Sequence, residues 1–417
     1  MKSRIYDVFI IGGGASGLCT AVSLKQMDRS LSIAMAEQLP RVGKKLITTG
    51  NGRCNITNSV IDISRFHSET PDFVQSIIGR YDNAYTESFF ADLGIVITYD
   101  DVGRAYPYSL QASSVVDALR FAADLWGVET LLETEVLNFN KNKDTYEIET
   151  SQGTYTARTV VLAAGLFSGG KKLGSSGKIY KLMASKGYKT VKTTPAIVQL
   201  KTVGEVARSL KGMKVNATAT LMINNKKIRT DFGEVLFCDY GLSGPPIMQI
   251  SREVERAGGP KSIVLDLMPE YSFSAVIELL EHRTVVLRGR SLEDYLSGML
   301  NKRVGQAVLK LAGRKLSDSV DDLNASDLKK IASLIKGMTF ELCGTTGFEN
   351  SQATAGGIST HEFNVENLMS KRDSGLFAVG EILDVDGDCG GFNLQWAWSS
   401  SFCAAEGIAR YLGLEIC

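Results

Sequence analysis

The sequence predicts an α/β fold in which both ends of the chain form one parallel-sheet domain and the middle supplies two insertions, first strand-rich, then helical. Three observations predict it. The buried-strand run Val8-Phe9-Ile10-Ile11 passes directly into Gly12-Gly13-Gly14-Ala15-Ser16-Gly17 and a helical segment. A second apolar run, Ser32 to Ala36, ends at Glu37, twenty residues beyond Gly17. Near the other end, Gly375-Leu376-Phe377-Ala378-Val379 repeats the short buried strand and again stops on glycine and acid, Gly380-Glu381.

Each part of the first unit has a physical reason. A strand that turns abruptly into a helix needs a residue without a side chain at the turn, here Gly12. Gly14 lets the backbone approach a pyrophosphate, and Gly17 lets the helix beginning near Ala15 and Ser16 pack closely on the sheet. The helix N-terminus, with unpaired N–H groups and the positive end of its dipole, then faces the phosphates. Glu37 stands where a carboxylate accepts hydrogen bonds from a ribose diol and repels a 2′-phosphate. The unit therefore predicts an adenosine with a free 2′-OH: FAD or NAD, not NADP.

Composition narrows the field. A chain of 417 residues has room for more than one domain and a large core. Lys+Arg and Asp+Glu both number 46, so the formal net charge is zero. The pairs Lys171-Lys172, Lys226-Lys227 and Lys329-Lys330 read as solvated surface with no long basic stripe, and neither nucleic acid nor an anionic membrane is expected as a partner. Seven cysteines (Cys19, Cys54, Cys238, Cys343, Cys389, Cys403, Cys417) are scattered without a CxxC. That spacing suggests no disulfide framework, zinc site or dithiol reductase. Lys2 and Arg4 precede the first apolar run, which stops at Gly12, too short for a signal-peptide core, and no stretch approaches membrane length. A cytoplasmic monomer or homodimer is expected.

After Glu37 the alternation of strand and helix breaks off. Arg41 to Leu46 and Thr48 to Asn55 form a loop rich in Gly, Asn and cations. Its backbone around Gly50, Asn51 and Gly52, with the side chains of Lys44, Lys45, Arg53 and Asn55, is a candidate lining for an extended phosphate and cofactor cleft. A helix is predicted over Asp72–Leu93, a strand over Ile95–Thr98, a loop at Tyr106-Pro107-Tyr108 and a helix over Ala112–Leu125. A strand over Glu129–Val136, a hairpin through Asn140 to Thr156 and a strand over Thr159–Ala163 follow. The last delivers Ala164-Gly165 to the cofactor side of the sheet. Beyond Lys192 short strands are predicted at 197–200, 217–223, 227–229, 234–237 and 263–267, with Asn224-Asn225 as a tight turn. Helical periodicity then marks 275–283, 292–300, 304–311 and 325–336. Gly390-Gly391-Phe392-Asn393 opens a final helix, Leu394–Tyr411, whose positive end would face the cofactor ring. The division is 1–192, 193–270 (β-barrel-like), 271–337 (helical) and 338–417.

With these residues in hand, the chain resembles the bacterial FAD-dependent flavoproteins described as BaiN-like or aminoacetone-oxidase-like, within the glutathione-reductase-type FAD superfamily. The resemblance runs nearly the whole length. It is carried by Gly12 to Leu18, Thr49 to Asn58, Gly241-Leu242-Ser243-Gly244-Pro245, Thr354 to Ile358, Gly380 to Gly387 and Gly391 to Trp398. It implies a Rossmann-like FAD-binding domain made from both ends, with β-barrel-like and small helical insertions. It also implies that the Val136 backbone meets the adenine, and that Glu381, Asp384, Asn393 and Leu394 lie at the ribityl and isoalloxazine end. Two departures stand out. Leu166 to Lys178 replaces the family's Pro-containing segment and Gly-Ser-Thr-Gly-Asp-Gly turn, and Ser401-Phe402 replaces a Gly-aromatic pair.

A flavin supplies its own redox chemistry, so few side chains can be nominated as catalytic, and the sequence singles out none. His67, His282 and His361 are dispersed and read as ordinary surface or core residues. Cys54 reads as a packed residue beside the cofactor rather than a reactive thiol, and Trp396 and Trp398 as packing rather than a substrate cage. Tyr106, Tyr108 and Tyr240 are candidates to face substrate, and Gly241 to Pro246 is either a corner or a turn closing over the flavin. The expected function is an FAD-dependent oxidoreductase acting on a small organic molecule. Two directions stay open: oxidation of an amine with O2, or reduction of a C=C bond with NADH or NADPH as transient donor, because no second dinucleotide unit is present. An FAD-dependent RNA-modifying protein and a non-catalytic flavin sensor are the alternatives.

Overall fold

The structure is a computed structural model describing residues 4–414; Lys2 and Cys417 lie outside the described residues. The chain forms two compact units, Met1–Pro195 joined with Phe348–Cys417, and Ala196–Gly347.

In the first unit the parallel strands run in the order Glu129–Leu131, Ile33–Ala36, Ile5–Ile11 and Gly153–Leu162. Val8, Phe9 and Ile10 are wholly buried, as a central strand covered on both faces requires. Gly153–Leu162 is one ten-residue strand where the sequence suggested a hairpin arm and a separate strand. Its first half pairs antiparallel with Thr145–Thr150 and its second half pairs parallel with Leu376–Ala378. The C-terminal segment thus joins the N-terminal sheet edge to edge. The helices Ala15–Met27 and Phe392–Leu412 pack together, and Ser401 Oγ donates to Ser16 O at 2.9 Å. Among the described residues no helix is long and apolar enough to cross a membrane.

Several elements differ from the sequence reading. The helix predicted over Asp72–Leu93 is two, Pro71–Arg80 and Asn83–Asp92, because Asp82 caps a new helix by accepting from Tyr85 N at 3.0 Å. Tyr106-Pro107 is not a loop: Arg104–Pro107 is a strand paired with Thr57–Asn58 on one side and Ile97–Tyr99 on the other. Of the segment 292–300 only the turn Leu292–Asp294 is helical, since Gly298 adopts φ +88° and Arg283 takes the carbonyls of Tyr295 (2.6 Å) and Ser297 (2.7 Å).

The second unit is a closed six-stranded barrel with helices Phe273–Val286, Lys302–Leu311 and Ala325–Lys336 around the same apolar core. The predicted segments 227–229 and 234–237 are one long strand, Lys226–Phe237, joined to Lys214–Ile223 through Asn224 and Asn225, both left-handed at φ +51° and +61°. Met338–Thr345 lies between Leu200–Thr202 and Lys261–Asp266 in the barrel, on the far side of the 337/338 division drawn from sequence. Gly241–Ser243 is a barrel strand as well.

Candidate functional site

The turn after the first strand uses its glycines in distinct ways. Gly12 has φ +109°, and a Cβ there would stand 2.6 Å from Ala163 O. A Cβ on Gly17 would stand 1.9 Å from Gly12 O, so only glycine lets the helix start so close to the strand. Gly14 is the opposite case: nothing lies within 4 Å of its built Cβ, and the residue lines an open cleft. The helix that follows begins with no side-chain cap and no acid in its first turn, leaving its N-terminal N–H groups to whatever enters the cleft.

That cleft lies within the first unit and encloses about 1330 Å³, open mouth included. One group of walls is Glu37, Gln38, Leu39, Thr134, Glu135 and Val136. Another is Leu46, Thr49, Asn393, Leu394 and Ala397, with Gly12, Ala15, Ser16, Ala164 and Gly165 contributing the Gly-rich floor. Glu37 is buried, and its two oxygens accept from Gly13 N (3.0 Å) and Leu39 N (2.9 Å). Burial pushes its carboxyl above the usual carboxylate range, opposed by those N–H groups and by Lys44. Gly13, passed over in the sequence, holds this carboxylate in place.

Lys44 and Lys45 also line the cleft. The Lys45 ammonium lies 2.5 Å from Glu381 Oε2 and donates to Ser168 Oγ. The other Glu381 oxygen accepts from Ser168 Oγ (2.6 Å) and Thr354 N (2.7 Å). Four chain segments therefore meet on one carboxylate. Sequence reasoning missed Ser168 and Thr354, and also the wall formed by Ser175 to Ile179, where Lys178 pairs with Glu135.

The remaining nominated residues stand behind the walls. Gly50, Asn51 and Gly52 make a left-handed turn (φ +57°, +56° and +83°), and Arg53 lies over the Tyr106 ring at 4.9 Å. With its amide oriented to satisfy both neighbours, Asn55 donates to Thr57 O (2.9 Å) and accepts from Gly391 N (3.0 Å). Gly391 opens the last helix at φ +101°, and the Asn393 amide holds Gly387 N and O. Gly380 N donates to Ser400 Oγ at 2.9 Å, while its carbonyl accepts from Trp396 Nε1 at 3.1 Å. Asp384 is buried and accepts from Glu69 N at 3.0 Å. Trp396 and Trp398 are both buried, the second donating to Ile56 O. Cys54 is buried and its thiol is pushed up to about 12, so it is packed and protonated. His67 pairs with Asp388 at 2.9 Å, and no cluster of metal-ligating side chains occurs among the described residues.

Sheet, glycine turn and cleft define an α/β protein of the Rossmann type with an inserted closed barrel. The model of the family described as HI0933-like protein Rossmann domain matches residues 6–407, so the chain belongs to that family, one of FAD-dependent oxidoreductase enzymes. It is 32% identical over 404 residues to a 3-dehydro-bile acid delta(4,6)-reductase of Clostridium scindens, covering 96% of this chain and 98% of that protein. It is 26% identical over 414 residues to a ribosomal RNA dihydrouridine synthase of Haemophilus influenzae, covering 98% and 100%. Among solved structures, Escherichia coli quinol fumarate reductase FrdA aligns with a TM-score of 0.52 at 16% identity, over 99% of this chain and 71% of that one, a likeness of fold.

Proposed function

We propose that this protein is an FAD-dependent reductase that saturates a carbon–carbon double bond conjugated to a carbonyl, with NADH or NADPH as transient electron donor. Cofactor choice rests on one observation: Gly14 opens onto a cleft that the buried carboxylate of Glu37, held by the neighbouring Gly13 N–H, also lines. Glu37 accepts the ribose hydroxyls, Val136 offers backbone to the adenine, and Gly14, Ala15 and Ser16 present N–H groups to the pyrophosphate. Lys44 and Lys45 balance its charge. Gly165, Glu381, Asn393 and Leu394 hold the ribityl and ring end. When bound, FAD supplies hydride transfer; the residues around it bind, orient and keep water out.

The direction of reaction is supported by the relatives. The printed names of both denote saturation of a double bond, in a 3-oxo steroid and in a uracil ring, and each bond is conjugated to a carbonyl. Neither is an amine oxidase.

Substrate size has two readings. A small molecule fits the zero net charge and the more similar relative. Uridine within RNA is favoured by the second relative and by a feature that overall charge conceals: from Thr150 to Gly204 the chain has nine cations, Arg158 to Lys201, and no Asp or Glu.

The test begins with the visible spectrum of the purified protein, then NADH and NADPH without air. Reoxidation of the reduced flavin is next followed with 2-cyclohexenone, a 4-en-3-one steroid and a uridine-containing ribosomal RNA fragment. Bleaching by a nicotinamide and recovery with one of these supports the reading. A colourless protein overturns the cofactor, and a yellow one that consumes none of them but releases peroxide with amines overturns the direction.

A further inference from the structure

One stretch of the cleft wall, Leu173 to Ile179, takes no part in the binding proposed above. It belongs to a compact loop, Phe167 to Lys178, whose two ends meet: the Phe167 ring lies 2.2 Å from a Cβ built on Gly177, so only glycine lets the chain return past the ring. The first end is pinned. Phe167 N and Ser168 N both donate to Thr354 Oγ1 (3.3 and 3.0 Å), and Gly169 N donates to Phe348 O at 2.9 Å. Beyond that base the loop bonds to itself, with Leu173 N and Ser175 N donating to Gly170 O at 3.2 and 3.1 Å. Compact surface loops with joined ends are frequently functional.

The tip of the loop touches cleft residues that come from other parts of the chain. Gly174 O accepts from Gln38 Nε2, and the Leu39 side chain lies 2.9 Å from a Cβ built on Gly174. Lys178, the first residue of the helix Lys178–Ser185, pairs with Glu135. Gln38 and Leu39 follow Glu37 directly, and all three line the cleft together with Glu135. Both polar contacts face solvent: the Gln38 bond is exposed, and the Lys178 and Glu135 side chains are 60% and 28% exposed. Contacts of that kind hold weakly and open often.

We propose that residues 169–178 form a lid at the Glu37 end of the cleft, latched by the Gln38–Gly174 and Glu135–Lys178 contacts, and that FAD enters and leaves when the latch opens. The assignment rests on the FAD reading above. Gly170 and Gly177, both at φ +63°, set the turns on which the tip swings while Thr354 and Phe348 hold the base. The latch joins protein groups only, so it closes over free and loaded protein alike. Weakening it therefore speeds entry and exit by the same factor and leaves the dissociation constant nearly unchanged. A side chain that gripped FAD directly would act otherwise. Its loss would raise the release rate and the dissociation constant together, with association unaltered.

The decisive readout is FAD exchange, which needs no turnover. Quenching of flavin fluorescence on mixing FAD with apoprotein gives the association rate, and a chase of the loaded protein with excess 8-chloro-FAD gives the release rate. Lys178→Met and Gln38→Ala should each raise both rates about two- to fivefold, the weight of one solvent-facing contact, with the dissociation constant unchanged within about twofold. Glu135→Lys sets two ammonium groups against each other and should open the lid further than either. Adding Lys178→Glu to it restores the pair with its charges exchanged, and both rates should return toward wild type. Rates unchanged in all the single variants overturn the lid alone, as does faster release with unaltered association, or an exchanged pair that restores nothing. A wild-type protein that binds no FAD overturns the cofactor reading and the lid together.

Discussion

Gly14→Val and Gly17→Ala place new carbon atoms three residues apart in opposite surroundings. At position 17 the methyl would lie 1.9 Å from Gly12 O, where ordinary contact begins at 3.4 Å, so helix and strand must separate by about 1.5 Å. Overpacking of this kind costs roughly 1–3 kcal/mol, and at ~2–4 °C per kcal/mol the apoprotein should melt about 2–12 °C lower. At position 14 the side chain projects into open space from a backbone at φ −80°, which valine tolerates. The cost there is confined to a poorer helix cap, about 1 kcal/mol or less. The same side chain occupies the place where the pyrophosphate must approach, and a 100-fold weaker hold on FAD corresponds to ~2.8 kcal/mol. Thermal midpoints of flavin-stripped proteins, with the 450-to-280 nm absorbance ratio after dialysis against FAD, separate the two effects. Gly14→Val should melt near wild type and stay colourless, while Gly17→Ala should melt early. A fully yellow Gly14→Val protein, or one whose apo form melts below Gly17→Ala, would refute the assignment of the cleft.

Other substitutions probe neighbouring parts. Glu37→Ala should weaken FAD retention about tenfold, read by fluorescence titration of the apoprotein, because the ribose loses its acceptor. Asp7 accepts from Ser32 N and Oγ and pairs with Arg158, and those contacts hold its carboxyl below the usual range despite burial. Asp7→Ala should therefore cost about 1–2 kcal/mol at pH 7, a difference present above the unfolded carboxylate range and lost as pH falls through the lower folded value. Urea titrations at pH 7 and pH 3 check the sign. Lys45→Met leaves Glu381 with only Ser168 and Thr354, so FAD affinity should fall while Glu381→Gln partly restores it in the double variant; strictly additive effects would show that the pair is not coupled.

What could be read in advance was local. The Gly12 to Gly17 turn, its flanking strand and helix, and Glu37 lie within forty residues, and each has a single physical demand that one residue type meets. The strand at Tyr106-Pro107 was not legible because proline is penalised in sheets, and only its terminal place opposite Ile97 makes it acceptable. Met338–Thr345 carries a strand-like alternation but no mark of its partners, which start at residues 200 and 261. The carboxylate network was the least legible part. Lys45, Ser168 and Thr354 reach Glu381 across 336, 213 and 27 residues, and nothing in the sequence at those positions announces that they meet on it.

Those separations have a consequence for how site and fold depend on each other. Glu381 follows Leu376–Ala378, which pairs parallel with Val160, Val161 and Leu162. Parallel pairing across so long a loop carries a closure cost before any contact rewards it. Lys45 and Ser168 come from loops of the N-terminal part of the chain and Thr354 and Glu381 from the returning segment, so the ion pair and its hydrogen bonds act across that joint. A ligand lying along Glu37, Gly14 and Glu381 touches both sides of the same joint and binds only the joined state. By linkage it adds about 2.7 kcal/mol at 100 times its dissociation constant. The ends of the chain meet where the cofactor is proposed to bind, and for that reason loss of the ligand should loosen the C-terminal strand before the central strands around Phe9.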